Sequence, residues 1–377
     1  MLAIIYRIQV TVMEYTVPQV EPYFDHRETA YVRQALENRW ITEGPFTKKF
    51  LDALKAMTGA EFAVLAPNGT LGLYLALVAG GITSGEVIVP DFTFNASASA
   101  VVFAGARPVF VDIRQSDLNI DPRKIEAAVT PRTTAIMPVH VYGQACDMAA
   151  ITDIARRHRL TVIEDAAQSF GVFYNNQHTG VIGDVGVISF FADKVITTGE
   201  GGVVLTNDKD IYEKLRHLRN QGRMESGTFV HPCLGLNFRM TDLQCAVGLA
   251  QVEKFDDIVT ARTRNYNLYY SYLKDISQIR FLSRNDFCNM IPYRVPLFAE
   301  RLTALIDFLE NHGIQTQRFF YPLHRQPCYS LCDTAEDHFA NSNYAYDNGL
   351  LLPVFSALTE KQIEYVCNHI AQFYKAG

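Results

Sequence analysis

Six short, strand-like runs rich in apolar residues, most of them separated by stretches long enough for a helix, restrict this chain more than any other feature. They are Glu86–Val89, Pro108–Asp112, Ala135–Val139, Thr161–Glu164, Gly186–Phe191 and Val203–Thr206, and a seventh run, Phe62–Pro67, precedes them. Strand-like runs that alternate with helical ones at this spacing predict a mostly parallel sheet covered by helices on each side. Ligands then belong at the carboxyl ends of the strands. A helical pattern over Asp210–Arg219 leads out of the sheet, and a long helix is predicted from near Thr241. From about Arg262 the elements become shorter, which predicts a smaller C-terminal domain over residues 256–377 beside a large domain over 15–255. A chain of 377 residues is long enough for two such cores, and it carries no internal repeat or low-complexity tract.

Two of the strand ends carry chemistry. Beyond Gly186–Phe191 stands Lys194, next to the turn Thr197–Gly202. An apolar wall is expected to lower the lysine pKa and supply the free amine that forms a Schiff base with an aldehyde; the obvious aldehyde is pyridoxal phosphate. That cofactor needs a carboxylate to hold a proton on its pyridine nitrogen, and Asp165, at the end of Thr161–Glu164, is placed for it. Glu164 is expected to point the other way. A third element follows Phe62–Pro67, where Asn68-Gly69 reads as a turn into a helix. The backbone N–H groups of Thr70 and Leu71, with the Thr70 hydroxyl, then form a phosphate site. Singly these features also read as a solvated lysine, a capping aspartate and an ordinary capped helix. Their order along one chain is what makes them specific.

With these elements in sequence, the chain resembles the DegT/DnrJ/EryC1/StrS family of sugar-nucleotide aminotransferases. The resemblance begins at Trp40–Pro45, continues through Pro90–Phe94 and Pro138–Gly143, and reaches Gly235–Met240 and Tyr321–His324. It implies an aspartate-aminotransferase-like α/β fold (pyridoxal-phosphate fold type I), with a mostly parallel sheet in the large domain and a smaller α+β domain. It implies Lys194 and Asp165 as the catalytic pair, Phe94 stacked on the cofactor ring, Gln168 near its phenolic oxygen and Ser189 on its phosphate. Asn237 would reach the phosphate from the neighbouring subunit, so that the sites exist only in a homodimer. Glutamate is the implied donor, 2-oxoglutarate its product, and a nucleotide-linked keto sugar the acceptor. Phe191 stands where the lipid-A arabinose branch has histidine. The Phe190-Phe191 pair and Thr197–Gly202 look closer to the perosamine-synthase branch, which aminates a GDP-linked 4-keto-6-deoxymannose; a dTDP- or UDP-linked 3- or 4-keto sugar is the alternative. The related 3-dehydratases have histidine at the position of Lys194, so the resemblance implies transamination, in surface-polysaccharide, O-antigen or glycoside biosynthesis.

The formal charge of −6 and pI near 5.9 give no basic footprint for nucleic acid. An anionic diphosphate substrate would need local arginines, and Arg223, Arg239 and Arg318 are candidates, each equally readable as a surface ion pair. His324 is expected at the sugar pocket, although a histidine in a turn also reads as structural. The seven cysteines are odd in number and lack paired ligand spacing, so neither a disulfide framework nor a metal site is indicated and a reducing cytoplasm fits. No run approaches the roughly eighteen apolar residues of a membrane span. Met1–Arg7 is too short an apolar core for a signal peptide, and residues 1–14 are expected to be a disordered extension ahead of a natural start at Met13.

Two other classes stay open on the residues alone. A noncatalytic cofactor-binding regulator would use the same fold, though it would usually carry a further DNA-binding module. A dinucleotide-binding oxidoreductase would share the alternating sheet, but Ala66–Thr70 stands where its Gly-x-Gly-x-x-Gly turn would be.

Overall fold

The computed structural model describes residues 15–223, 229–330, 332 and 335–375. The predicted extension before Tyr15 lies outside the described residues. Seven strands form the main sheet: β1 (Phe62–Ala66), β2 (Glu86–Pro90), β3 (Arg107–Val111), β4 (Thr133–Ile136), β5 (Thr161–Asp165), β6 (Val185–Ser189) and β7 (Gly202–Thr206). Their order is β1-β7-β6-β5-β4-β2-β3, and only β7 runs against the others. Every residue of β2 and β6 is buried.

Successive residues enter two different cores, as strand alternation requires. Ile88, Val162 and Ile188 join one apolar cluster, while Val87, Ile163 and Val187 join the other. Both faces are therefore covered, and Glu164 and Asp165 emerge on opposite sides. Glu164 accepts from the N–H groups of Gly180, Ile182 and Gly183 at 2.8, 2.7 and 2.6 Å. It also meets His140 Nε2 at 2.9 Å, and the Cys146 N–H donates to His140 Nδ1 at 3.0 Å. An acceptor at Nδ1 places the proton on Nε2, so this is a neutral imidazole donating to a structural carboxylate.

A second sheet, wholly antiparallel, comprises β8 (Ile279–Phe281), β9 (Val295–Ala299), β10 (Gln317–Arg318) and β11 (Gly349–Leu352), in the order β8-β9-β11-β10. It has its own core, built from Tyr269, Leu297, Leu305, Leu350, Ile363 and Ile370. Val17 sits in that core too. Its N–H donates to the Gly313 carbonyl at 3.0 Å and its carbonyl accepts from Gln315 at 2.9 Å. The start of the described chain, expected with the large domain, thus packs into the small one. The single long helix expected from Thr241 is instead two, Asp242–Glu253 and Phe255–Leu273. The break is at Lys254, whose ψ of 18° leaves the helical range while its buried ammonium reaches Glu28 at 2.6 Å and Asp25 at 3.5 Å. Among the described residues no helix is long and apolar enough to cross a membrane.

Candidate active site

A cavity of about 330 Å³ opens at the carboxyl ends of β1, β5 and β6, and Asn68, Thr70, Asp165, Gln168, Ser189 and Lys194 all line it. The helix Gly69–Ala79 starts at its edge. Asn68 caps that helix, accepting from the Leu71 N–H at 2.9 Å, so the Leu71 amide is already engaged. Leu71, expected at the phosphate site, does not line the cavity, whereas Gly69 and Thr70, whose N–H groups precede the first helical bonds, do. Gly69 is needed for its size: a Cβ there would lie 2.9 Å from that of Ser189. The helix N-terminus and the Ser189 hydroxyl are thereby pressed together into one donor-rich corner.

Asp165 is almost wholly buried and, among the described residues, accepts from two neutral donors, the Ser97 hydroxyl at 2.7 Å and the Ala167 N–H at 3.1 Å. Because Ser97 gives its proton to Asp165, the 3.0 Å contact with Thr93 places Thr93 as donor to Ser97. Burial pushes the Asp165 carboxyl above its ordinary value, and these hydrogen bonds only partly oppose it. Gln168 accepts from the Tyr142 N–H at 3.0 Å through Oε1, leaving its amino group as the donor for a ligand. Phe94 is 61% exposed at the mouth, its ring centroid 6.5 Å from that of Phe320.

Lys194 donates to the Tyr293 hydroxyl at 3.0 Å and lies 3.6 Å from Asp193 Oδ1. Burial works against its ammonium form, but Tyr293 and Asp193 outweigh burial and hold the amine above its ordinary pKa. This corrects the expected depression: the wall beside Lys194 is anionic and hydrogen-bonding rather than apolar.

The remaining sequence candidates lie elsewhere. His324 is buried against Asp91, its N–H and Nδ1 at 2.7 and 2.8 Å from the two carboxylate oxygens, and it does not line the cavity. Arg239 contacts Glu43 at 3.4 Å and Asn237 at 2.9 Å, Arg318 donates to Thr303 at 2.5 Å, and Arg223 donates to Asn220 at 3.2 Å. None of these arginines lines the cavity, and neither does Asn237, which is exposed. Residues missed in the sequence are Ser97, Asp193, Tyr293, Arg294 and Phe320. Asp193 adjoins Lys194, a signal that was present; Tyr293 and Arg294 sit about a hundred residues downstream with no local mark.

The residues present fit pyridoxal phosphate. A buried acid has no hydrogen-bonded cation among the described residues, a helix start is too tight for a side chain at Gly69, an amine faces the same cavity, and an aromatic face stands open. Fold and site together define a pyridoxal-phosphate-dependent aminotransferase. The chain belongs to the DegT/DnrJ/EryC1/StrS aminotransferase family, whose pattern matches residues 22–371. It is 41% identical to a GDP-perosamine synthase of Caulobacter vibrioides over 92% of this chain and 95% of that one. It is 36% identical to a GDP-perosamine synthase of Escherichia coli O157:H7 over 95% and 98%. Among solved structures, DesV of S. venezuelae in complex with a ketimine intermediate superposes with a TM-score of 0.89 at 30% identity, covering 94% of this chain and 98% of that one.

Proposed function

We propose that this chain transfers the amino group of glutamate to a nucleotide-linked keto sugar, with a GDP-linked 4-keto-6-deoxyhexose as the first choice. The observation that carries the reading is one cavity lined by the Lys194 amine, the Asp165 carboxylate and a helix N-terminus. When bound, pyridoxal phosphate supplies the aldehyde that takes up the amino group and the ring that draws electron density from the reacting carbon. Lys194 would hold the cofactor and, once displaced, would carry the proton released from the donor's α-carbon. Asp165 would keep the proton on the ring nitrogen, a cation that would relieve the cost of burying the carboxylate. Thr70, Gly69 and Ser189 would hold the phosphate, the Gln168 amino group would serve the phenolic oxygen, and Phe94 would cover the ring.

The GDP preference rests on the likeness to the two GDP-perosamine synthases and on Phe191 at the cavity wall. A homodimer is part of the proposal. Asn237 lies on a segment with Phe229 90% and Leu234 94% exposed, an apolar surface that suits burial against a second copy. In that arrangement Asn237 reaches the partner's phosphate. A cytoplasmic setting and a role in surface-polysaccharide synthesis follow from the same likeness.

The test is a spectrum of the purified protein followed by an acceptor screen. The yellow protein should bleach with glutamate, and its colour should return with GDP-linked but not dTDP- or UDP-linked 4-keto sugars. Colour that persists with glutamate favours a regulator; recovery with another nucleotide moves the substrate.

A further inference from the structure

The side chain next to the reactive lysine is not free to turn away from it. Asp193 Oδ2 accepts from the Tyr293 hydroxyl at 2.8 Å and from Arg294 Nη2 at 2.5 Å. Both donors come from the small domain, and they leave Asp193 Oδ1 buried, without a hydrogen-bond partner among the described residues, 3.6 Å from Lys194 Nζ. Tyr293 contributes twice, since its hydroxyl accepts from Lys194 while donating to Asp193, and the ammonium lies 4.5 Å from its ring centroid. The segment that presents these donors is pinned. Arg262 Nη1 donates to the carbonyls of Pro292 and Tyr293 at 3.2 and 3.3 Å, and the Ile291 N–H donates to Gly143 at 3.1 Å. Gly143 has φ +83°, and a Cβ there would overlap the Ile291 carbonyl at 1.7 Å, so the two domains meet at a point that only glycine allows.

We propose that Asp193, aimed by Tyr293 and Arg294, is the counter-ion of the Lys194 nitrogen, both when that nitrogen carries the cofactor and when it is released as an ammonium. The inference rests on the reading of Lys194 as the cofactor-bearing residue. With the cofactor bound, Lys194 would take up, as its third N–H, the proton released when the hydrogen–carbon bond at the donor's α-carbon breaks, and the cofactor would accept the electron pair. Asp193 neutralises the charge so formed without moving. Other charged or titratable groups around this pair are Arg294 and Arg262, which oppose an ammonium, Asp165 and Glu200 across the cavity, and the buried Tyr142. Asp193 is the acid that adjoins the amine.

The test follows the absorbance of the full-length holoenzyme against pH, with neither glutamate nor sugar present, and reads the midpoint at which the Lys194 nitrogen loses its proton. Asp193→Asn should lower that midpoint by about one pH unit or more, and Tyr293→Phe by a smaller amount. Asp193→Glu, which keeps the charge, should stay close to wild type. An unchanged midpoint in Asp193→Asn at full cofactor occupancy overturns the proposal, as does an equal fall in the Asn and Glu variants. If Asp193→Asn does not fold, an unchanged midpoint in Tyr293→Phe overturns it instead. A wild-type protein without the yellow band removes the cofactor reading itself, a failure distinct from a wild-type titration that the variants do not alter.

Discussion

Two aspartates stand at the carboxyl ends of strands in one sheet, Asp91 after β2 and Asp165 at the end of β5, and they meet different fates. Burial drives both carboxyls above their ordinary pKa. Asp91 takes the N–H and ring nitrogen of His324, with Phe339 stacked 4.4 Å away on that imidazole, and nothing of it faces the cavity. Asp165 receives a hydroxyl and an amide, with no cation hydrogen-bonded to it among the described residues, and it faces open space. The same residue at the same kind of position is a structural tie in one case and a waiting acceptor in the other. What separates them is whether the fold brings a cation-forming partner into hydrogen-bond contact with the carboxylate.

The comparison can be pressed by experiment. Lys194→Ala should cost at least ~10³-fold in turnover while circular dichroism and melting stay near wild type, because an amine is lost and no core is opened. Near-wild-type steady-state rates would remove Lys194 as the proton carrier. Asp165→Asn should slow both half-reactions on the order of 10²-fold, measured by stopped-flow bleaching with glutamate, since a carboxamide cannot hold the ring proton. Equal rates at full cofactor occupancy would put Asp165 in the same class as Asp91.

A pH test probes the Asp165 site. The folded pKa of Asp165 is raised, so without cofactor the folded state binds its proton more tightly than the unfolded chain does. Stability should then fall as pH rises from the ordinary carboxylate range through the raised value, and Asp165→Asn should remove part of that fall. A melting profile against pH that is identical in wild type and variant would contradict this.

Asn237→Ala should weaken cofactor retention by roughly 1–3 kcal/mol in an equilibrium dialysis measurement. Mixing it with Lys194→Ala under subunit exchange should restore activity above that of the Asn237→Ala homodimer, because one heterodimer site is then intact. Absence of recovery despite exchange would argue that Asn237 serves its own subunit or none. Asp91→Asn should cost roughly 1–3 kcal/mol of stability, read as a lower melting temperature, with cofactor binding unchanged. The smallest effect is expected for Arg318→Ala, less than about twofold in kcat/KM, since this arginine is engaged with Thr303 away from the cavity.

The strand ends that meet at the cavity were legible because their signals are local. Each expected strand appears within a few residues of its run, and Asp165, Ser189 and Lys194 lie at or just beyond strand ends, where the sheet rule puts ligands. The turn at Asn68-Gly69 marked the helix start, but not that the Asn68 cap would occupy the Leu71 amide. The contacts of His324 and the three arginines were not legible: in the fold they meet Asp91, Glu43, Thr303 and Asn220, which no spacing in the chain announces.

What the sequence determined by itself is the double-faced sheet and the strand ends that carry an acid and an amine, because alternation and apolar runs act over a few residues. Tertiary structure alone decided the charge on that amine. Asp193 adjoins Lys194, but its aim comes from Tyr293 and Arg294, 100 and 101 residues further on. Electrostatic interactions depend on separations of a few ångströms, and distance along the chain does not measure them.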